Sequence, residues 1–351
     1  MVPLVSNKYR YIFFYNPKSA CSVSRKLFLD LHRDELDDQQ RSVLRDLKNA
    51  NQDEWHAANQ LFPIERDKDY SQYTKFTLVR HPLTRFVSAY LNRVVMQQMD
   101  LTPITEVLTN KYGNDDELTY SFNQFVDYFG SVNITTIEDT HFQSQANLNG
   151  ILSEYEIYSP FHNTEKWYQR FSEYSQKKDR KPILKLDHVC KIETLSEDFK
   201  DVYKRVFSDH PDKLAVVNQS LAELPFHNVT FTSNKVDEYA CDRSASELRS
   251  QSKMPNYASF LTPQVVETLV KKYREDFLLF NYSQNLETSV LRFEKLKNQR
   301  INDVVPKDFN WQHYLSENAD LGANGIETQS SALSHWIHHG RFEQRSYKKH
   351  P

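Results

Sequence analysis

Glycine is scarce in this chain. Only six occur in 351 residues, and the first is Gly113. A G-x-x-x-x-G-K phosphate loop and a G-x-G-x-x-G dinucleotide fingerprint both need glycine at the first strand–turn–helix, so neither is available there. Cysteine is scarcer still. Cys21, Cys190 and Cys241 form an odd set without paired spacing, which argues against a disulfide scaffold or a zinc ribbon. No apolar run approaches the roughly 20 residues of a membrane helix, so no transmembrane segment is expected. Basic charge is not in excess: 44 Lys+Arg against 47 Asp+Glu leave a net charge of −3. No nucleic-acid partner is expected, and any anion site must be local. No secretory leader is legible, so the chain is expected in the cytoplasm, at most peripheral to a membrane, and the sequons at Asn228 and Asn281 read as chance.

Aromatic residues, by contrast, are plentiful, with 22 Phe and 20 Tyr. Most belong in a core, while a surplus suits sugar or adenine faces. Tyr9–Tyr15 reads as a buried strand ending at Asn16-Pro17, and a helix follows from Ser22 with Val23, Leu27 and Leu31 on one face. Lys75–Val79 reads as a second strand, ending at Arg80-His81-Pro82 and followed by a helix that buries Val87, Tyr90, Leu91 and Val94. Residues 95–180 read as helices and loops covering a site. Another strand lies within Ile183–Ile192, before a helix through Phe199, Val202, Tyr203 and Val206. Thr262 caps a late helix with Pro263 at its first position, burying Val266, Leu269, Val270, Tyr273 and Phe277. Strands alternating with helices predict an α/β fold with a mainly parallel central sheet.

Two strand ends carry the candidate chemistry. The first turn is Pro17-Lys18-Ser19-Ala20-Cys21-Ser22, whose small side chains let backbone N–H groups approach a ligand at a helix N-terminus. Lys18 adds a point charge, and Ser22 and Ser24 add hydroxyls. Alone, these parts also fit an ordinary capped turn. The second is Arg80-His-Pro-Leu-Thr-Arg85-Phe-Val-Ser88-Ala-Tyr90, with an arginine where α/β sheets bind ligands and Thr84 and Ser88 on one helix face. Two anion sites at two strand ends suit a nucleotide phosphorylated at both its 5′ and 3′ positions.

These residues resemble the sulfotransferases that use 3′-phosphoadenosine-5′-phosphosulfate (PAPS). Pro17-Lys18-x-x-x-Ser22 is similar to their 5′-phosphosulfate motif, and Arg80-x-Pro82-x-x-Arg85-x-x-Ser88-x-Tyr90 to their 3′-phosphate motif. Three further blocks resemble the carbohydrate branch, the chondroitin and dermatan group known as sulfotransferase family 2: Thr140-His141-Phe142-x-x-Gln145, Lys191-Ile-Glu193-Thr-Leu195 and Tyr273-x-x-Asp276-Phe277-x-x-Phe280-x-Tyr282. The resemblance runs from residue 9 to about 284 and implies a P-loop-NTPase-like three-layer fold, with the sheet flanked by helices. It implies transfer of a sulfuryl group from PAPS to a hydroxyl of a glycan or lipid-linked saccharide, without a metal. Lys18, Ser19, Ala20, Cys21, Ser22, Val23, Arg80 and Ser88 would bind the donor, and Lys18 would stabilise charge on the oxygen that leaves sulfur. Where relatives often carry threonine or glycine in the first motif, this chain has Ser19-Ala-Cys-Ser22.

Relatives place a base about twenty residues before the 3′-phosphate arginine, which points to His56, with Glu54 as the substitute. His141 is the second candidate, as base or as a ligand of the acceptor hydroxyl. Glu193 reads equally as a buried partner of a basic residue or as part of the site, and Cys21 as a small packed residue before a nucleophile. Residues 1–285 are assigned to the transferase domain, 286–307 to a charged linker and 308–351 to a small helical module. Trp311, Tyr314, Leu315, Leu321, Leu333 and Trp336 form the module's expected core, Thr328 and Gly340 bounding a helix. Its His335, His338 and His339 share a helix face, but no zincin glutamate accompanies them and no metal is expected. The module resembles one appended to bacterial glycan-processing proteins. The alternatives are a non-catalytic nucleotide- or glycan-binding protein and, against the missing glycines, an ATP-dependent kinase.

Overall fold

A computed structural model describes residues 1–50, 52–65, 67–96, 108–113, 119–133, 139–147, 156–160, 183–223, 237–251 and 254–284, and, in the C-terminal segment, 305–306, 308–323, 326, 332–333, 335–336, 340–341, 343 and 345–347. The 286–304 part of the linker, Asn228, Thr328, His338, His339 and much of 95–180 lie outside the described residues.

The strand read from the aromatic run is β2, Tyr11–Tyr15, and every one of its residues is buried. Its alternation sorts the rings. Tyr11, Phe13 and Tyr15 join Phe76 and Leu78 in a core with Leu27, Phe28 and Leu31 of helix α1 (Cys21–His32) and Phe199, Val202 and Tyr203 of the helix Leu195–Val206. Ile12 and Phe14 point the other way, toward Val79, Ile157, Leu184, Leu186, Leu279 and Phe280. Both faces are therefore covered, and each fully buried large side chain of this kind contributes about 1.5–3 kcal/mol.

Sequence reading missed one strand. β1, Val2–Ser6, pairs antiparallel with β2, so the sheet is mixed, with the order β1, β2, β3 (Thr74–Val79) and β6 (His188–Lys191). The β2 pairing to β3 and the β3 pairing to β6 are parallel. The single strand expected across Ile183–Ile192 is two. β5, Ile183–Lys185, pairs with β4, Glu156–Tyr158, in a separate two-stranded sheet. The break falls at Asp187, whose carboxylate accepts the Lys75 N–H at 2.8 Å while its own N–H donates to the Lys75 carbonyl at 2.7 Å. Helices α2 (Asp38–Asn49) and α3 (Ala58–Leu61) complete this region.

The chain forms two compact units. The first, 1–82, 137–224 and 273–282, holds both sheets and both cores just described. The second, 83–136, 225–272 and 283–351, has its own aromatic packing: Phe86 against Phe129 at 5.0 Å, Tyr90 against Phe122 at 4.8 Å, and Phe122 against Phe260 at 5.1 Å. Helix α4, Pro82–Tyr90, ends in this unit and continues as a π-helical turn over Leu91–Val95. The late helix begins at Pro263 as expected but stops at Lys272, burying Val265 and Leu269 with Val266 and Val270 half-buried, and a second one runs over Arg274–Leu279.

At the C-terminus Tyr314, Leu321, Ala332 and Trp336 make a small core with Phe309, Trp311, Leu315 and Tyr347 around it; Leu333 is half-buried outside that cluster. A Cβ on Gly340 would stand 2.0 Å from the Tyr314 hydroxyl, so glycine is needed there for close approach. That hydroxyl also meets Nδ1 of His335 at 2.7 Å. Among the described residues no cluster of His, Cys, Asp and Glu could hold a metal ion, and no helix is long and apolar enough to cross a membrane.

Candidate functional site

The turn after β2 is built without glycine, by accepting strain. Lys18 and Ala20 both lie in the left-handed region, at φ 64° and 52°, a conformation that costs a residue with a Cβ roughly 1–2 kcal/mol. Alternating left-handed positions turn successive N–H groups toward one concave point, the arrangement that holds anions. The helix that follows is left uncapped: its N-cap is Ala20, which has no side chain to offer. The first intrahelical bond is Ser24 N–H to the Ala20 carbonyl at 2.9 Å, so the N–H groups of Cys21, Ser22 and Val23 precede it. Three other helices carry full capping boxes, at Asp37, Ser121 and Ser244. The ordinary capped turn is thus not what stands at residues 17–22.

The side chains of this turn divide. Ser19 is fully buried: its hydroxyl donates to Gln145 Oε1 at 3.1 Å and its backbone N–H to the Asn16 carbonyl at 3.1 Å, so both of its donors are spent within the fold. Ser24, read from the sequence as a hydroxyl donor, spends its proton on the carbonyls of Ala20 and Cys21 at 3.0 and 3.3 Å. Ser22 is buried near the surface and Lys18 half-buried. Cys21 opens α1 and, with Ala20, packs on the core, in keeping with a small packed residue.

At the end of β3, Arg80 is 6% exposed, and its Nη1 donates to the Lys18 carbonyl at 3.2 Å. The two turns are therefore neighbours. Asn16 ties the strand ends together as well, its Nδ2 donating to the Leu78 carbonyl at 2.9 Å. The decisive tie is Gln145. Its Oε1 accepts the Arg80 N–H at 2.8 Å and its Nε2 donates to the Arg80 carbonyl at 2.8 Å, while the same Oε1 takes the Ser19 hydroxyl. One buried amide thus clamps both turns. Asp276 holds Gln145 in turn: its carboxylate accepts the N–H groups of Gln145 and Ala146 at 2.9 and 3.0 Å and the Ser144 hydroxyl.

Glu193 does the corresponding work one residue on, accepting the His81 N–H at 2.8 Å and the Tyr282 hydroxyl at 2.9 Å. It partners a backbone amide and a phenol, and its charge also acts on Lys191. Burial, then the Glu193 carboxylate, push the Tyr282 hydroxyl well above the ordinary tyrosine range against the pull of Arg80, so it stays a donor. The motif blocks around Gln145, Glu193, Asp276 and Tyr282 are thus one framework. Their roles were not legible in the sequence beyond the resemblance, because the partners lie 65 to 131 residues apart. Thr84, Arg85 and Ser88 are all buried on α4, the helix that opens two residues after Arg80.

The two histidine candidates sit in different settings. His56 is exposed on the 3₁₀ turn Glu54–Ala57 and stacks on Trp55, ring centroids 3.8 Å apart. Shielding of its stacked face and then the charge of Arg25 lower it from its ordinary value, with Asp53 opposing, so the neutral imidazole is favoured. The substitute, Glu54, is held by Arg33 at 2.5 Å. His141 is half-buried, its Nδ1 2.5 Å from the Asp139 carboxylate, which also accepts the His141 N–H at 2.8 Å. A proton held on Nδ1 by that carboxylate makes Nε2 the basic nitrogen.

A sequence model of the sulfotransferase family matches residues 3–283. No curated protein and no solved structure matches the chain.

Proposed function

The chain belongs to the sulfotransferase family, and on that premise we propose that it transfers a sulfuryl group from PAPS to a hydroxyl of a carbohydrate. The observation that carries this reading is the joining of the two strand-end turns, with Arg80 on the Lys18 carbonyl and Gln145 bonded to both. The 5′-phosphosulfate would be held by Lys18 and the amides of Ala20 to Val23, the Ser19 N–H being taken by the Asn16 carbonyl, and the 3′-phosphate by the guanidinium fork of Arg80. The motif assigns Ser88 to the same phosphate as Arg80. A P-loop-NTPase-like layering, with residues 1–285 as the transferase and 308–351 as an appended module, belongs to the same reading, as does a cytoplasmic member of bacterial polysaccharide synthesis.

The donor supplies an activated sulfur–oxygen bond. Lys18 places its charge where negative charge develops on the departing oxygen. His56 accepts the acceptor's proton as the hydroxyl oxygen attacks sulfur in line, and His141, set by Asp139, binds and orients the acceptor. Calorimetric titration with adenosine 3′,5′-bisphosphate, paired with sulfate-transfer assays on a panel of glycans and lipid-linked saccharides, tests the reading. Binding together with chelator-insensitive transfer supports it. Binding without transfer to any hydroxyl would favour a non-catalytic binding protein, and turnover of ATP would favour a kinase. His56→Ala is expected to keep nucleotide binding and lose transfer by at least ~100-fold; near-normal turnover would move the base role to His141.

A further inference from the structure

Arg25 has no part in either phosphate motif, yet it is built into the site. It lies one turn into α1, the helix whose N-terminus forms the cradle, and its Nε donates to the Cys21 carbonyl at 3.2 Å. Its guanidinium sits 4.8 Å over the Tyr15 ring and 4.2 Å over the Trp55 ring. Tyr15 is the last residue of β2, directly before the cradle, and its hydroxyl is fixed by Asn59 Nδ2 at 2.7 Å. Among the described residues no carboxylate pairs with Arg25. Contacts to two aromatic faces and one carbonyl satisfy the cation without neutralising it.

We propose that Arg25 is a positioning residue for transfer: it clamps Trp55, and through Trp55 the His56 imidazole, beside the cradle helix, and sets its positive charge against that stack. The inference rests on His56 acting as the base. An imidazolium at His56 would add a second positive charge to a stack that already carries one, whereas the neutral ring stacks on Trp55 without that repulsion. Of the charges on α1, α2 and α3, which all pack on the 54–57 turn, Arg25 alone acts on His56; Asp53 opposes it from the turn's own start. The consequence is a base that stays ready below the pH at which an ordinary histidine becomes protonated.

The test combines the pH dependence of kcat/KM with an NMR titration of the His56 ring proton, in the full-length wild type, Arg25→Gln and Arg25→Lys. In Arg25→Gln the His56 titration and the acidic limb of the rate profile should move together to higher pH, with kcat/KM at pH 6 falling at least about threefold. Arg25→Lys, which keeps the charge, should restore most of the limb and also reports on folding. Affinity for adenosine 3′,5′-bisphosphate should stay within about twofold of wild type in both. A His56 titration that does not move in Arg25→Gln, with His56→Ala still inactive, overturns this proposal and leaves the base assignment standing. A titration that moves while the rate limb stays removes His56 as the base, and Arg25's part in transfer with it. Loss of nucleotide affinity in both variants would make Arg25 a donor ligand and would likewise overturn the proposal.

Discussion

The turn after β2 is built from backbone, and the turn after β3 from side chains. At residues 17–22 the chain bends through two left-handed positions and leaves a helix end without a side-chain cap, at the cost of local strain. At residues 80–81 the backbone is ordinary and its polar groups are satisfied from afar, by Gln145 on Arg80 and Glu193 on His81. The conformation of the first turn is thus set largely within its own few residues. The second exists only when segments distant in sequence arrive together. Gln145, bonded to both, makes their geometry common, so damage to the framework should reach each of them.

The sharpest way to break that arrangement is at Asp276. Asp276→Ala leaves two buried amides and a hydroxyl without their acceptor and should lower stability by about 3 kcal/mol, read as a lower denaturation midpoint with an unchanged slope. A loss below about 1 kcal/mol would mean that the framework around Gln145 does not depend on it. The smallest effect separates the turns most cleanly. Ala20→Gly removes the strain of a Cβ at φ 52° and should raise stability by up to about 1 kcal/mol once the extra freedom of the unfolded chain is subtracted. A clear loss of stability would show that the left-handed turn is not strained.

Much of this was legible beforehand, and unevenly so. β2, β3 and α1 were clear because buried aromatic strands and a helix period leave local marks: Tyr11–Tyr15 needs no partner to be read as β. The lysine turn and the arginine motif stand at the ends of these strands, and their reading came from the family resemblance. β1 was missed because five residues around Pro3 carry little pattern of their own and owe their strand form to pairing with β2. The split of β5 from β6 turned on one tertiary contact, Asp187 to the Lys75 backbone. The strain at Lys18 and Ala20 was also hidden, since propensity assigns left-handed positions to glycine and this chain has none there. Ser19, assigned by resemblance, and Ser24, read as a nearby hydroxyl, spend those hydroxyls on Gln145 and on helix carbonyls. A hydroxyl's direction is set by packing, which spacing does not encode.

One comparison of affinities tests most directly whether these two turns grip opposite ends of a single nucleotide. Adenosine 3′,5′-bisphosphate and adenosine 5′-phosphate are titrated calorimetrically into the wild type, Lys18→Ala and Arg80→Ala. The wild type should prefer the bisphosphate, Lys18→Ala should weaken both ligands alike, and Arg80→Ala should erase the preference while sparing the monophosphate. An Arg80→Ala protein that keeps the full preference for the 3′-phosphorylated nucleotide would contradict the account.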